Sequence, residues 1–143
     1  MLNFIMQWLR KYYLKKSAQE RASPNDWVKR EQIDYIEKTK LLTIKIEPNV
    51  KIFSIADTNS MDGLLDIGHN VIGTDNFDKS RLAVGDIVVY QVYLTKIVHR
   101  IVEIGEDKNG VRFYRCRGDN NVNVDRWYLG DRNIKWLVLG VIY

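Results

Sequence analysis

Leu41-Leu42-Thr43-Ile44-Lys45-Ile46-Glu47 sets Leu42, Ile44 and Ile46 on one side of an extended chain and Thr43, Lys45 and Glu47 on the other, and Pro48-Asn49 closes the run. A period of two marks a half-buried strand, because successive side chains of an extended backbone point to opposite faces. The same texture recurs downstream. Val50 to Ala56, Asn70 to Thr74, Ile87 to Tyr93, Lys96 to Ile104, Val111 to Arg117 and Trp136 to Ile142 are short apolar, β-branched or aromatic runs separated by Gly, Asp and Asn. Asp107-Lys108-Asn109-Gly110 is the clearest hairpin turn, since Asn and Gly tolerate positive φ. Short strands with no long helix between them predict a mainly β domain over residues 41–143, built as a barrel or sandwich-like core, and argue against a doubly wound α/β sheet.

Upstream, residues 1–40 read as a helical or mobile arm. Leu2, Ile5, Met6, Leu9 and Tyr13 recur at three- and four-residue steps, with Gln7, Arg10, Lys11 and Lys15 elsewhere around the wheel. Such a helix docks on the domain or, through Trp8, Tyr12, Tyr13 and the basic flank, meets a membrane surface or a partner. Ser23-Pro24-Asn25-Asp26 is a turn or helix start, and Trp27 to Lys40 is expected to continue as a second, charged helix.

With 143 residues, 45% of them hydrophobic and 28% charged, the chain is expected to be one soluble domain. The net charge of +4 is local: residues 1–16 hold four basic residues and no acid, which leaves 18 basic against 18 acidic residues in the rest. A neutral body with a basic end speaks against general nucleic-acid binding, which calls for a broad basic face. The apolar start, Met1 to Leu9, is broken by Asn3 and Gln7, so no membrane span is expected. The lone Cys116 excludes an internal disulfide framework and a multi-Cys zinc site; it fits a reducing compartment, and the cytoplasm, with membrane association open, is the expected location. No metal or other cofactor is expected, since His69 and His99 stand in no metal-ligand spacing.

Four stretches then stand together: Thr58-Asn59-Ser60-Met61, Gly85-Asp86-Ile87-Val88-Val89, Ile97-Val98-His99-Arg100-Ile101, and Gly118-Asp119-Asn120-Asn121 followed by Asp125. In this order they resemble the signal-peptidase and LexA-like superfamily of serine peptidases, over about residues 50–143. Val98-His99-Arg100 and Gly118-Asp119-Asn120-Asn121 are most similar to the branch of signal peptidases that uses a histidine base. Asp62-Gly63-Leu64-Leu65, where signal peptidases have Glu-Pro, looks more like the LexA and UmuD-like branch. The resemblance implies a serine endopeptidase acting on another protein or on itself, with an extended peptide added to a sheet edge near Ser60 and small side chains favoured beside the cut. With short strands whose edges are exposed, the UmuD-like resemblance also implies a homodimer of this chain. No Gly precedes Gly63, so self-cleavage after the usual small-residue-Gly pattern is not expected.

The chemistry stands on the residues as well. A serine hydroxyl is a poor nucleophile unless a positioned base takes its proton, and the base needs an orienting group. Ser60 is the candidate nucleophile, His99 the base, Asp119 the first choice of orienter and Asp125 the second. The Ser60 backbone N–H is the natural donor to the oxyanion, and the resemblance to bacterial signal peptidases, which place a hydroxyl two residues before the nucleophile, implies that the Thr58 hydroxyl assists. Each residue also has a plainer reading: Ser60 and Gly118 to Asn121 as turn residues, His99 as a hydrogen-bonded strand residue, His69 as a surface residue, Cys116 as a small buried apolar one. Lys96, three residues from His99, falls on the opposite face of a regular strand and is expected to be solvated rather than a lysine base. The alternative function is a non-catalytic interaction module of the same fold, docking through the N-terminal arm.

Overall fold

The computed structural model describes residues 22–46 and 49–143. The amphipathic segment of residues 1–16 lies outside the described residues. The rest is mainly β: two antiparallel sheets, with 3-10 turns at Arg30–Gln32 and Lys79–Arg81. Strands β1 (Ile33–Ile36) and β2 (Leu41–Ile44) form a separate hairpin. Strands β3 (Val50–Ser54), β4 (Asn70–Thr74), β5 (Ile87–Val92), β6 (Thr95–Glu106), β7 (Arg112–Arg117) and β8 (Ile134–Ile142) form one sheet in the order β3-β4-β8-β5-β6-β7.

The expected barrel does not close. Strands β3 and β7 lie at opposite edges of the sheet, and among the described residues each has one strand neighbour; β7 makes further backbone contact with Leu129 and Asp125. The core is instead divided between the two faces. On β5, Val88 and Tyr90 join Ile101, Tyr114, Cys116, Leu129 and Leu137 on one face, while Ile87 and Val89 join Met61, Leu65, Val71, Trp136 and Val138 on the other. Alternation along an extended chain forces this split, so a strand covered on both sides is apolar at every position.

The charged helix expected over Trp27 to Lys40 is absent. Ile33, Tyr35 and Ile36 are extended and pair with Ile44, Leu42 and Leu41 across a turn in which Lys40 takes φ 55°. β-Branched and aromatic residues favour strands, and the adjacent Leu41–Ile44 supplies a partner, so pairing overrides the helical spacing of the charges. The strand reading of Leu41-Leu42-Thr43-Ile44 holds, but its Leu42 and Ile44 face is exposed.

Residues 23–27 cross the end of the main sheet, where Gly85, at φ 108°, lies so close to Ser23 that a Cβ would stand 2.1 Å from the Ser23 carbonyl oxygen. The neighbouring Asp86 is fully buried, and its carboxylate accepts from the Asn25 backbone N–H (2.7 Å), the Asn25 side-chain amide (3.2 Å), the Trp27 indole (2.9 Å) and the Ala83 N–H (2.9 Å). A buried carboxylate is tolerated because this many donors replace its water.

Candidate active site

His99 sits on β6 opposite Val88 of β5, with 5% of its surface exposed. Ser60 lies in the loop between β3 and β4. Asn59 before it has φ 53°, a left-handed conformation that Asn tolerates better than most residues, and Met61 after it is buried. The Met61 carbonyl accepts from the Leu64 and Leu65 N–H groups at 3.1 and 2.8 Å, which winds the chain into a turn and leaves Ser60 at its entrance.

Ser60 Oγ stands 3.1 Å from His99 Nε2, and His99 Nδ1 stands 2.6 Å from Asp125 Oδ2. The same Asp125 oxygen accepts from the Tyr90 hydroxyl at 2.8 Å. A carboxylate can only accept, so Nδ1 carries the proton and Nε2 presents its lone pair to the serine. The side chains of His99 and Asp125 are 7% and 14% exposed, so the pair is largely shielded from water. Thr58 Oγ1 is 3.2 Å from Ser60 Oγ, and the Ser60 N–H has no hydrogen-bond partner among the described residues.

The carboxylate on His99 is therefore that of Asp125, and the expectation that Asp119 orients the imidazole is corrected. Arg100 follows His99 on the strand, so its side chain leaves on the other face. There it takes Asp119 in a two-pronged pair, Nε to Oδ1 at 2.8 Å and Nη2 to Oδ2 at 2.7 Å, and donates from Nη1 to the Gly85 and Ala22 carbonyls at 2.8 and 3.3 Å. Asp125 reaches His99 because the chain returns alongside β7, its N–H bonded to the Cys116 carbonyl at 2.8 Å.

The Gly118-Asp119-Asn120-Asn121 turn holds the serine loop from below. The Asn120 N–H donates to the Ser60 carbonyl at 3.0 Å and its side-chain amide to the Asn59 carbonyl at 2.9 Å. Gly118 permits this approach: a Cβ there would lie 2.3 Å from the Ser60 carbonyl oxygen and 2.9 Å from His99 Nε2. Neither this role of Gly118 nor those of Tyr90 and Arg100 follows from reading the sequence. The alternation of Val88-Val89-Tyr90 puts Tyr90 on the side of Val88, but it is the strand pairing that sets Val88 opposite His99.

Burial, followed by the hydrogen bond to the Asp125 carboxylate, pushes the Tyr90 hydroxyl well above the usual phenol range, so it stays a neutral donor. Burial likewise raises the Cys116 thiol far above its ordinary range, with the Asp125 charge adding to it. Such a thiol is unreactive packing. His69 is half-buried: its Nδ1 accepts from the Asp66 N–H at 2.9 Å and its ring packs edge-on against Tyr143. Lys96 is exposed.

A cleft of about 510 Å3 opens beside the serine, lined by Phe53, Ile55, Met61, Val89 and Val98 as well as Ser60 and His99. Among the described residues no cluster of three or more His, Cys, Asp or Glu is placed to hold a metal ion, and no helix is long and apolar enough to cross a membrane. In comparison with known proteins, no family model matches the chain, and no curated protein or solved structure matches it significantly.

Proposed function

We propose that this chain is a serine endopeptidase of the signal-peptidase and LexA-like kind, using Ser60, His99 and Asp125. The observation that carries the reading is the unbroken line of hydrogen bonds from Ser60 Oγ through the imidazole to a shielded carboxylate, 3.1 and 2.6 Å long. Ser60 Oγ attacks the peptide carbonyl while His99 Nε2 takes its proton, and Asp125 stabilises the imidazolium through Nδ1–H. The Ser60 N–H and the Thr58 hydroxyl face the developing oxyanion. His99 then returns the proton to the leaving amine, and water, deprotonated by the same imidazole, releases the acyl group from Ser60.

The substrate is an extended peptide paired with the outer edge of β3, which has no second strand neighbour among the described residues and whose Phe53 and Ser54 line the cleft. An apolar wall suits a small or apolar side chain beside the cut. Whether the substrate is another protein or the chain's own N-terminal segment is decided by mass spectrometry of the incubated protein and its Ser60→Ala variant. The direct test of the chemistry is labelling with a fluorophosphonate, which bonds only to an activated serine. Wild type is expected to gain one adduct at Ser60, and the Ser60→Ala and His99→Ala variants none; an unlabelled, folded wild type would refute the reading.

The hairpin supports a second reading, a non-catalytic docking module. Tyr35, Leu42 and Ile44 stand on one face of it and are all at least 40% exposed, an apolar patch of the kind that partners or a second copy cover. Under that reading Ser60→Ala leaves function intact while loss of the N-terminal segment abolishes it.

A further inference from the structure

Next to the apolar cleft the same sheet carries a patch of opposite character. Gln91 and Lys96 pair two residues beyond the Val89–Val98 pair that lines the cleft, so they stand on the same face. Lys96 there joins Lys79, Arg132 and Lys135 around an open cavity of about 530 Å3 against Trp136, with Asp75 as the acidic residue on its wall. Lys51 of β3 adds an ammonium 4.8 Å from the centre of the Trp136 ring. Lys135 owes its position to a bulge: Trp136 and Ile134 pair with Val89 and Tyr90, which leaves Lys135 unpaired with β5 and exposed. Lys79 is occupied with the Asp131 carbonyl at 2.6 Å, but Lys96, Arg132 and Lys135 form no ion pair among the described residues. Outside residues 1–16 the chain has as many acids as bases, so this grouping is a local arrangement and not the reflection of a basic body. Lys96 lines both cavities and joins them.

We propose that this basic patch extends the peptide-binding cleft and selects substrates with acidic side chains about three residues from the cut bond; the proposal rests on the peptidase reading for what lies in the cleft. Extended chains advance about 3.4 Å per residue, so the three steps from His99 to Lys96 cover about 10 Å, the same stride for a peptide lying along the sheet. A carboxylate at that distance meets Lys96, and one farther out meets Lys135 and Arg132. Exposed ion pairs are individually weak and screened by salt, so selection comes from several cations acting together and from repulsion of basic peptides. A lipid surface fits less well, because Lys96 and Lys135 are held within strands of the sheet beside the apolar cleft, and Arg132 alone of these three cations stands on a turn.

The test measures binding with the Ser60→Ala protein by fluorescence anisotropy. Three labelled peptides differ only in carrying Glu, Ala or Lys three places to either side of a central Ala. At low ionic strength the Glu peptide is expected to bind about tenfold tighter than the Lys peptide, with the difference fading in high salt. A Lys96→Glu, Lys135→Glu double variant is expected to reverse the order. Equal affinities, or no binding of any peptide, would overturn the proposal. So would binding of anionic phosphatidylglycerol vesicles that the double variant loses while the peptides are not distinguished. Fluorophosphonate labelling judges the peptidase reading separately: discrimination without labelling removes the catalysis and keeps an acidic-peptide site, whereas labelling without discrimination does the reverse.

Discussion

At the scale of single residues, two aspartates close together in sequence do different work. Asp125 touches the imidazole, while Asp119 holds a buried guanidinium beside it. Exchanging Asp125 for Asn keeps the shape but removes the acceptor that fixes the tautomer, and under the proposed peptidase mechanism turnover of a cleavable peptide is expected to fall by about three to four orders of magnitude with the fold unchanged by circular dichroism. Asp119→Ala acts on stability, because it strands Arg100, which is 9% exposed, without a counter-charge; urea unfolding is expected to show a loss of about 3–5 kcal/mol. Both aspartates were visible in the sequence as candidates, but their ranking was not. The choice depends on which face each side chain meets after the turn at Gly118, and a loop of Gly, Asp and Asn residues has no period from which a face can be read. Tyr90 was hidden for another reason: within an apolar strand, its hydroxyl looks like packing until its partner is known.

At the scale of elements, the strands of the main sheet were legible because each is bounded by turn residues and alternates or is continuously apolar. Asn70–Thr74 is found as expected, and the Asp107 to Gly110 turn forms with Gly110 at φ 75°. The stretch from Trp27 to Lys40 holds a strand and a turn where a charged helix is expected from the sequence, since strand pairing is decided by a neighbour, here Leu41–Ile44. The segment just ahead of that hairpin is held chiefly by the Asp86 carboxylate, with Arg100 on the Ala22 carbonyl and Arg81 over the Trp27 ring beside it. In Asp86→Ala the Asn25, Trp27 and Ala83 N–H donors lose their acceptor, so a destabilisation of about 3 kcal/mol is expected, roughly 10 °C by scanning calorimetry. The intrinsic fluorescence of Trp27 would change with it, which separates release of this strap from a general loosening of the sheet.

For the whole molecule, the buried phenols and thiol set the behaviour in alkali. Tyr90, Tyr114 and Cys116 all titrate higher in the folded chain than in the unfolded one, so above the ordinary thiol and phenol values, about pH 8.5 and about pH 10, the unfolded chain gives up protons that the folded one keeps. Stability contributed by the neutral forms is therefore complete below pH 8.5 and declines as pH rises further. Urea midpoints measured from pH 7 to pH 11 are expected to fall, and more gently in Tyr90→Phe than in wild type. The thiol has a second use. Cys116 is the one cysteine in the chain, lies in the strand that leads into the turn beneath Ser60, and is closed to solvent. Its rate of reaction with a disulfide reagent is consequently a clock for how often that strand parts from its neighbours, and a peptide seated in the cleft would slow the clock without any label having been added to the site itself.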